Sequence, residues 1–376
     1  MHAAAAKPSS DAPAPCANGG YRVEAVDTIG PAWDAVVASF ADGCLEQTAA
    51  YMGARWDVSR LAGLVLRDGG NEPVAAALAI IAMLPVLQLG LAYVKFGPLW
   101  RRKGETAKPA VLLAALAAVK QVFALGRGLV VRVTPPPDPD FATAWQDGLA
   151  AAGYTLHAPM ADVDRYLVDL SLSESEQRKS LGASWRANLN KAARSGLTIR
   201  EAELRDGLPA FMTLYRAMLA RKQFADQHGV EALPPFAAAA SPALRARLFF
   251  ACERDEPVAG SLVAGAGERV FVPFSASHDR ALELRAGYAL RWSIIERLRG
   301  GEARWLDLGG TEGDAGLRSF KLGNVGKRGR VVPLMGEFDY AGSSLSSAVA
   351  AAMTLTRKLS QSAPAQLLLS RERRWS

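Results

Sequence analysis

The apolar and polar positions in the first half of the chain predict an alternation of short strands and helices. The predicted order is a strand, a helix, three strands, a helix, a strand and a helix. The turn at residues 67–73, which contains Asp68, Gly69, Gly70 and Asn71, separates the first two of the three consecutive strands. This order is typical of a mixed α/β layout. The predicted elements cover residues 21–26, 31–40, 61–66, 74–83, 89–95, 107–125, 128–133 and 141–153.

The second half repeats this order of elements. A strand and a basic helix lead into a further strand and helix, three antiparallel strands, an apolar helix and a short strand. The two halves share too little sequence to be called a repeat, but the common order predicts two copies of one fold. The predicted elements cover residues 165–170, 185–196, 197–201, 211–221, 248–253, 257–264, 269–276, 287–298 and 305–308.

One apolar run raises the alternative of a membrane span. Residues 74–94 are almost uncharged and are numerous enough to cross a bilayer. Pro85 and the sequence Gln88-Leu89-Gly90 interrupt the run near its middle, which favours two buried strands joined by a turn. We therefore expect a β-hairpin here.

Composition indicates a globular chain with an anionic partner. The 376 residues are 50% apolar and 22% charged, which suits a soluble protein with two domains. The net charge of +7 suits phosphate groups, nucleic acid or an acidic membrane face. Residues 1–20, rich in Ala, Pro and Ser, are expected to be a disordered leader.

The cysteines and histidines argue against a metal site. The three cysteines are widely separated and lack metal-ligand spacing, and the four histidines form no ligand pair. We expect reduced thiols in a cytoplasmic protein and no bound metal.

The stretch from Trp305 to Asn324 carries the most suggestive chemistry. A short apolar strand breaks at Gly309-Gly310, and further glycines follow Lys321. Glycines allow backbone to approach a ligand closely, so we expect a loop in which Lys321 offers a point charge beside Phe320.

Three other groups of residues are candidates for binding. Gln47, Tyr51 and Arg55 are spaced by four, which would place them on one face of a helix over residues 44–56. The alternative is an ordinary amphipathic surface helix. The basic helix that ends at Gly196 carries Arg186, Lys191 and Arg194, which are either solvated or contact phosphate or RNA backbone. Arg221 ends a helix where a guanidinium suits a diphosphate.

Several of these landmarks occur together in one known family. From about residue 21 to 335 the chain resembles the Fem-type aminoacyltransferases (the FemAB-like family), which attach amino acids to peptidoglycan precursors. The resemblance implies an α/β fold of two tandem GNAT-like acyltransferase domains with mixed, mostly antiparallel sheets, at 21–164 and 165–340, before a C-terminal helix and basic tail at 341–376. The matching pieces are Gln47-Thr48 with Tyr51 and Arg55, residues 92–98, residues 185–192 with Gly196, residues 221–224, 257–260 and 305–310, and Phe320-Lys321.

The resemblance also implies roles for individual residues. Arg55 and Arg221 would contact the diphosphate of a nucleotide- or lipid-linked acceptor. Lys321 would stabilise the transition state at the aminoacyl-ester end of tRNA, and Asp307 would orient it, accept the amine proton or be structural. Residues with a substrate-binding role would be Gln47, Tyr51, Arg55, Lys95, Arg221 and Phe320.

The function implied is transfer of an aminoacyl group, with aminoacyl-tRNA as the preferred donor and no cofactor, onto an amine of a cell-envelope or polysaccharide precursor. The protein would act in the cytoplasm, in peripheral contact with the inner membrane. Two departures weaken the classical peptidoglycan role: Tyr51 and Arg55 replace the more usual Trp and Lys, and a long helical arm is missing from the sequence.

Two alternatives remain open. The first is an N-acyltransferase that uses acetyl-CoA or acyl-CoA on the same fold. Residues 284–289 place glycine two positions after arginine rather than three, which argues modestly against a CoA pyrophosphate loop. The second is a non-catalytic adaptor for RNA or envelope assembly. The sequence leaves the acyl group, the acceptor and the oligomeric state open.

Overall fold

A computed structural model describes residues 20–84, 89–222, 229–311 and 313–342. The expected leader, except Gly20, and nearly all of the expected C-terminal helix and basic tail lie outside these ranges. The described residues form one mixed twelve-stranded sheet with helices on both faces.

The strands occupy most of the positions that the hydrophobic pattern predicts. They are β1 (Arg22–Val26), β2 (Leu61–Arg67), β3 (Pro73–Leu84), β4 (Leu89–Lys95), β5 (Val130–Thr134), β6 (Thr155–Asp169), β7 (Thr198–Glu203), β8 (Arg247–Glu253), β9 (Glu256–Ala264), β10 (Arg269–Ser277), β11 (Trp305–Asp307) and β12 (Arg330–Tyr340).

The α-helices of the described residues include those that the pattern predicts at 31–40, 107–125, 141–153, 185–196, 211–221 and 287–298, together with four that it does not predict. They are α1 (Pro31–Ala38), α2 (Ala49–Gly53), α3 (Pro109–Val119), α4 (Ala142–Ala151), α5 (Glu174–Ser180), α6 (Ala183–Ala192), α7 (Leu204–Lys222), α8 (Leu233–Ala239), α9 (Arg280–Glu283), α10 (Ala286–Leu298) and α11 (Ala315–Val325).

The sheet has the same plan in its two halves. Its order from edge to edge is β1-β2-β3-β4-β5-β12-β6-β11-β10-β9-β8-β7. In each half four antiparallel strands are followed by one parallel pair, β4 with β5 and β10 with β11. The prediction of two like units with mostly antiparallel sheets is therefore confirmed.

The two halves exchange their last strands at the centre of the sheet. β6, which ends the first half, pairs with β11 of the second. β12, which ends the second half, pairs with β5 of the first. β6 and β12 also pair with each other, antiparallel, from Arg330↔Leu167 to Asp339↔Thr155. The expected boundary between residues 164 and 165 therefore falls inside a strand.

One apolar layer is shared by both halves. On one face of the sheet, Trp33 and Phe40 of the first half belong to the same cluster as Phe211 and Phe236 of the second. The opposite face is covered separately, by α3 and α4 in the first half and by α10 in the second. The shared layer places residues of the first half next to β10.

The apolar run at residues 74–94 forms the expected hairpin. β3 and β4 pair antiparallel from Ile80↔Tyr93 to Leu84↔Leu89, while residues 85–88 lie outside the described ranges. Within those ranges, no helix combines the length and apolarity that crossing a bilayer requires.

The buried side chain of Gln47 connects β3 to β4 through hydrogen bonds. Its side chain is 0% exposed, and its amide nitrogen donates to the carbonyls of Lys95 at 2.8 Å and Leu78 at 3.2 Å. Its amide oxygen accepts from the Leu78 N–H at 2.8 Å. The predicted helix over residues 44–56 is wrong here, because Thr48 is extended and caps α2 by accepting from the Tyr51 N–H.

We predict that Arg132→Met lowers the free energy of unfolding by about 3–5 kcal/mol, because it removes the guanidinium from the buried carboxylate of Glu337 and the partly buried carboxylate of Asp339. Arg132 is buried on β5 and contacts Asp339 twice at 2.8 Å and Glu337 at 3.4 Å, both on the exchanged strand β12. Chemical denaturation measures the change. Arg330→Met, at an exposed position of β12, is the control and should change little.

We also predict that Gln47→Ala lowers the free energy of unfolding by about 3 kcal/mol, since it leaves a cavity and unpaired backbone groups. Gln146→Ala, on the exposed side of α4, is the matched control. Unchanged stability together with lost acceptor binding would contradict this structural role and return Gln47 to the substrate site.

Candidate functional site

The parallel strands β10 and β11 of the second half separate, whereas the equivalent strands β4 and β5 of the first half stay paired. β10 and β11 pair only from Arg269↔Trp305 to Phe271↔Asp307, although β10 continues to Ser277. In the first half the equivalent pair stays joined up to Lys95↔Thr134. A cleft therefore begins at the carboxyl end of β11, in the second half of the chain.

Lys321 lies at this cleft, but on a helix. Asp314 caps α11 by accepting from the Leu317 N–H at 2.8 Å, and the helix then continues through the expected loop. Lys321 is half-buried, and its Nζ donates to the carbonyl of Gly310. The loop prediction was wrong because it treated every glycine in the stretch as a source of flexibility.

Two of those glycines instead allow close packing between helices. A Cβ at Gly323 would lie 2.9 Å from a ring carbon of Trp185, and one at Gly326 would lie 2.3 Å from the Ser180 carbonyl. Phe320 completes this contact, with its ring centroid 5.9 Å from that of Trp185 and 5.0 Å from that of Tyr288. These contacts hold α11 on α6 and α10 and so fix the direction of Lys321.

Asp307 anchors the start of the cleft. Its carboxylate is buried and accepts from Arg165 at 2.7 and 3.1 Å and from the Gly309 N–H at 2.8 Å, while Arg269 lies 3.9 Å away. Burial alone would raise the pKa of Asp307, but Arg165 and Arg269 more than offset it and the pKa lies below its usual value. Asp307 is thus held as a carboxylate that positions the Gly309–Gly310 turn and is poorly suited to accept a proton.

Arg165 extends the site into the first half. Its guanidinium stacks 4.6 Å from the centroid of Phe271 and 5.6 Å from that of Phe96. Arg269 and Lys95 lie 5.5 and 5.4 Å from the same Phe96 ring. The half-buried Lys95 thus belongs to a cluster of cations around one aromatic ring. Sequence reasoning missed Arg165 and Arg269, for which the only signal was a charge at the start of an apolar strand.

Tyr51 and Arg55 lie together, apart from the buried Gln47. Tyr51 is 8% exposed on α2, and Arg55 follows the end of that helix on the surface. Arg55 donates to the Tyr51 hydroxyl at 3.4 Å and stacks 5.3 Å from its ring centroid. The pair gives a guanidinium at the surface with its orientation set by an aromatic ring.

The remaining predicted cations lie in two places. On α6, Arg186 is half-buried and donates to the Leu181 carbonyl, whereas Lys191 and Arg194 are exposed at and beyond its end. Arg221, near the end of α7, forms an ion pair of 2.6 Å with Asp279, just after β10. In the described parts of the chain, no three His, Cys, Asp or Glu side chains gather as metal ligands would.

Comparisons with known proteins agree with this geometry. Residues 177–321 match the model of the acetyltransferase (GNAT) domain, which includes the opened strand pair and Lys321. No curated protein matches the sequence. The crystal structure of FemX is 17% identical, with a TM-score of 0.67, and the match covers 85% of this chain and 97% of that one.

Two further structures show the same fold at low identity. The C-terminal domain of a putative lysylphosphatidylglycerol synthetase from Agrobacterium fabrum is 15% identical, with a TM-score of 0.52, over 86% of this chain and 97% of that one. A conserved protein of unknown function from Bacteroides thetaiotaomicron is 12% identical, with a TM-score of 0.58, over 84% and 98%. Residues 177–321 therefore match a GNAT domain, and the chain shares its fold with FemX over 85% of its length, as the sequence resemblance predicted.

Proposed function

We propose that this acyltransferase moves an aminoacyl group from an ester donor, aminoacyl-tRNA, onto an amine of a cell-envelope or polysaccharide precursor. The observation that carries the proposal is the position of Lys321, whose ammonium lies where β10 and β11 part and points at the Gly310 carbonyl. A fixed cation at the mouth of such a cleft suits a reaction that builds negative charge on oxygen.

The chemistry follows from that placement. When an amine attacks an ester carbonyl, the carbonyl oxygen becomes a tetrahedral oxyanion. A preorganised donor aimed at this oxygen contributes about 3–4 kcal/mol to the stability of the transition state. The packing of α11 fixes the orientation of Lys321. Asp307 holds the Gly309–Gly310 turn, which faces Lys321.

The surface beside the cleft favours a nucleic-acid donor. α6 packs on α11, and the sequences of these two helices carry Arg186, Lys191, Arg318 and Lys321 but no Asp or Glu. Arg194 follows directly after α6. Cations on these two helices attract a phosphate backbone, and they would bring the ester end of a tRNA close to Lys321.

The acceptor is assigned to the other side of the cleft. Arg55 and Arg221 supply guanidiniums suited to a diphosphate, and Arg221 would have to exchange Asp279 for it. One structural relative is named as a putative lysylphosphatidylglycerol synthetase, a name that joins an amino acid to a phospholipid. By analogy we place this reaction in the cytoplasm, with peripheral membrane contact for a lipid-linked acceptor.

A CoA thioester is the second candidate donor, because the matching domain model is described as an acetyltransferase. Its pyrophosphate would lie at the start of α10, where Arg285 has a positive φ of 55° and Gly287 leaves open space. The donor assay below separates the two donors.

We predict that Lys321→Ala lowers kcat by about 10²–10³-fold, because it removes one donor to the oxyanion. The assay gives purified protein an acceptor extract with either labelled aminoacyl-tRNA or labelled acetyl-CoA. Lys327→Ala, an exposed lysine just after the same helix, is the control and should retain activity.

The outcomes of this assay are distinct. Transfer from tRNA alone, lost in Lys321→Ala, supports the proposal. Transfer from acetyl-CoA alone makes this a CoA-dependent enzyme, and activity that survives Lys321→Ala contradicts the oxyanion role. Transfer from neither donor, with RNA binding intact, favours the adaptor.

We predict that the double variant Lys191→Ala, Arg194→Ala weakens tRNA binding and flattens its salt dependence, with the log–log slope reduced by about 1–2. Filter binding at several salt concentrations measures the slope. Arg216→Ala, an exposed arginine on α7, is the control. An unchanged slope would remove α6 from the RNA surface.

A further inference from the structure

Two helices on one face of the sheet flank the cleft at the end of β11. α10 leads into β11 and α11 follows it. Both helices contribute to one apolar cluster, which contains Leu290 of α10, Val325 of α11 and Leu308 just after β11. Any ligand that enters the cleft between these helices therefore approaches Lys321 along α11.

The equivalent helices of the first half pack directly on each other. A Cβ at Gly148 of α4 would lie 3.3 Å from the side chain of Leu116 and 3.4 Å from that of Leu112, both on α3. In the second half, α10 and α11 each pack on a third helix, α6. The second half thus leaves a space between its two helices, and a side chain of α6 enters it.

This side chain is Trp185. Its ring centroid lies 5.1 Å from that of Tyr288 on α10 and 5.9 Å from that of Phe320 on α11, and the latter two centroids are 5.0 Å apart. Trp185 is 2% exposed, and its indole N–H has no acceptor among the residues that the structure describes, so packing alone holds the ring. Trp185, Tyr288 and Phe320 form an aromatic cluster that fills the space between α10 and α11.

The aromatic cluster lies between the two places that a CoA thioester would have to join. The pyrophosphate would lie at the start of α10, and the acyl group would have to reach Lys321. Tyr288 is in the first turn of α10, where its N–H donates to the Arg285 carbonyl at 3.0 Å, and Phe320 directly precedes Lys321. The pantetheine arm, the linear chain between pyrophosphate and sulfur, would have to pass where the rings of Tyr288 and Phe320 meet.

An ester at the 3′ end of an RNA is carried without such an arm. Its acyl group can approach Lys321 past the first turn of α11, residues 315–318, which is exposed. The filled space between the helices therefore obstructs one class of donor and leaves the other unobstructed.

We propose that the aromatic cluster, with Trp185 at its centre, selects the donor by closing the space between α10 and α11 to a pantetheine arm. The donor class is thereby an ester carried at the end of a nucleic acid, and a steric clash rejects a thioester on a linear arm. This inference rests on the proposed function, because it concerns the donor of that reaction, but CoA binding can be measured without any transfer.

The test compares two ligands that differ only in the arm. CoA and 3′-phospho-ADP share the nucleotide and its pyrophosphate, and CoA alone carries pantetheine. Trp185→Ala leaves an apolar cavity of the kind that accepts an apolar ligand. We expect this variant to bind CoA about 10-fold more tightly than the wild type does, with unchanged binding of 3′-phospho-ADP, as measured by titration calorimetry.

A second variant opens the same space from the other helix. Tyr288→Ala changes a half-buried position of α10 and should give the same gain, which keeps the test valid if Trp185→Ala does not fold. Trp145→Ala removes an equally buried ring from α4 in the first half and is the control. It should bind both ligands as the wild type does, and melting temperatures show which variants are folded.

The outcomes separate this proposal from the proposed function. Wild-type protein that binds CoA more tightly than 3′-phospho-ADP overturns the proposal, because the arm then enters despite the aromatic cluster. A folded Trp185→Ala or Tyr288→Ala variant without the gain also overturns it, as does an equal gain for both ligands. If the proposed function alone is wrong, the wild type moves no aminoacyl group from tRNA, while the two variants still gain CoA binding.

Discussion

The buried ion pair between Asp307 and Arg165 is the interaction on which the rest of the site depends. It joins β11 to β6, and through the Gly309 N–H it also fixes the turn that meets Lys321. Arg165 carries the arrangement into the first half by stacking on Phe96. A buried ion pair of this kind contributes little net free energy to folding, whereas removal of one partner is strongly destabilising. Its main effect is therefore to fix the positions of the groups around it.

The site that results is composite. Tyr51 and Lys95 come from the first half of the chain, and Asp307 and Lys321 come from the second. The shared apolar layer and the exchanged strands hold these groups against each other. The second half contains the opened strand pair, and the first half supplies the walls and the surface guanidinium of Arg55.

The sequence predicted the order of the elements well, because hydrophobic periodicity is local and survives without knowledge of contacts. Prediction from the sequence failed where a residue's conformation is set by contacts with residues far away in the sequence. Gly323 is small because Trp185 packs against it, and no periodicity reports that contact. Thr48 interrupts the expected helix because Gln47 must turn inward to reach the carbonyl of Lys95. The pairing of Asp307 with Arg165 across two strands was equally invisible, and of the roles considered for Asp307 it favours the structural one.

The exchange of β6 and β12 also constrains how the protein is made. β5 belongs to the first half, yet one of its partners is the last strand of the described chain, at residues 330–340. During synthesis the β5 edge of the nascent first half therefore stays unpaired until residues 330–340 have left the ribosome. Long-range pairing of this kind slows folding and leaves an edge exposed to association with other chains. Each half therefore depends on a strand of the other half to complete its part of the sheet.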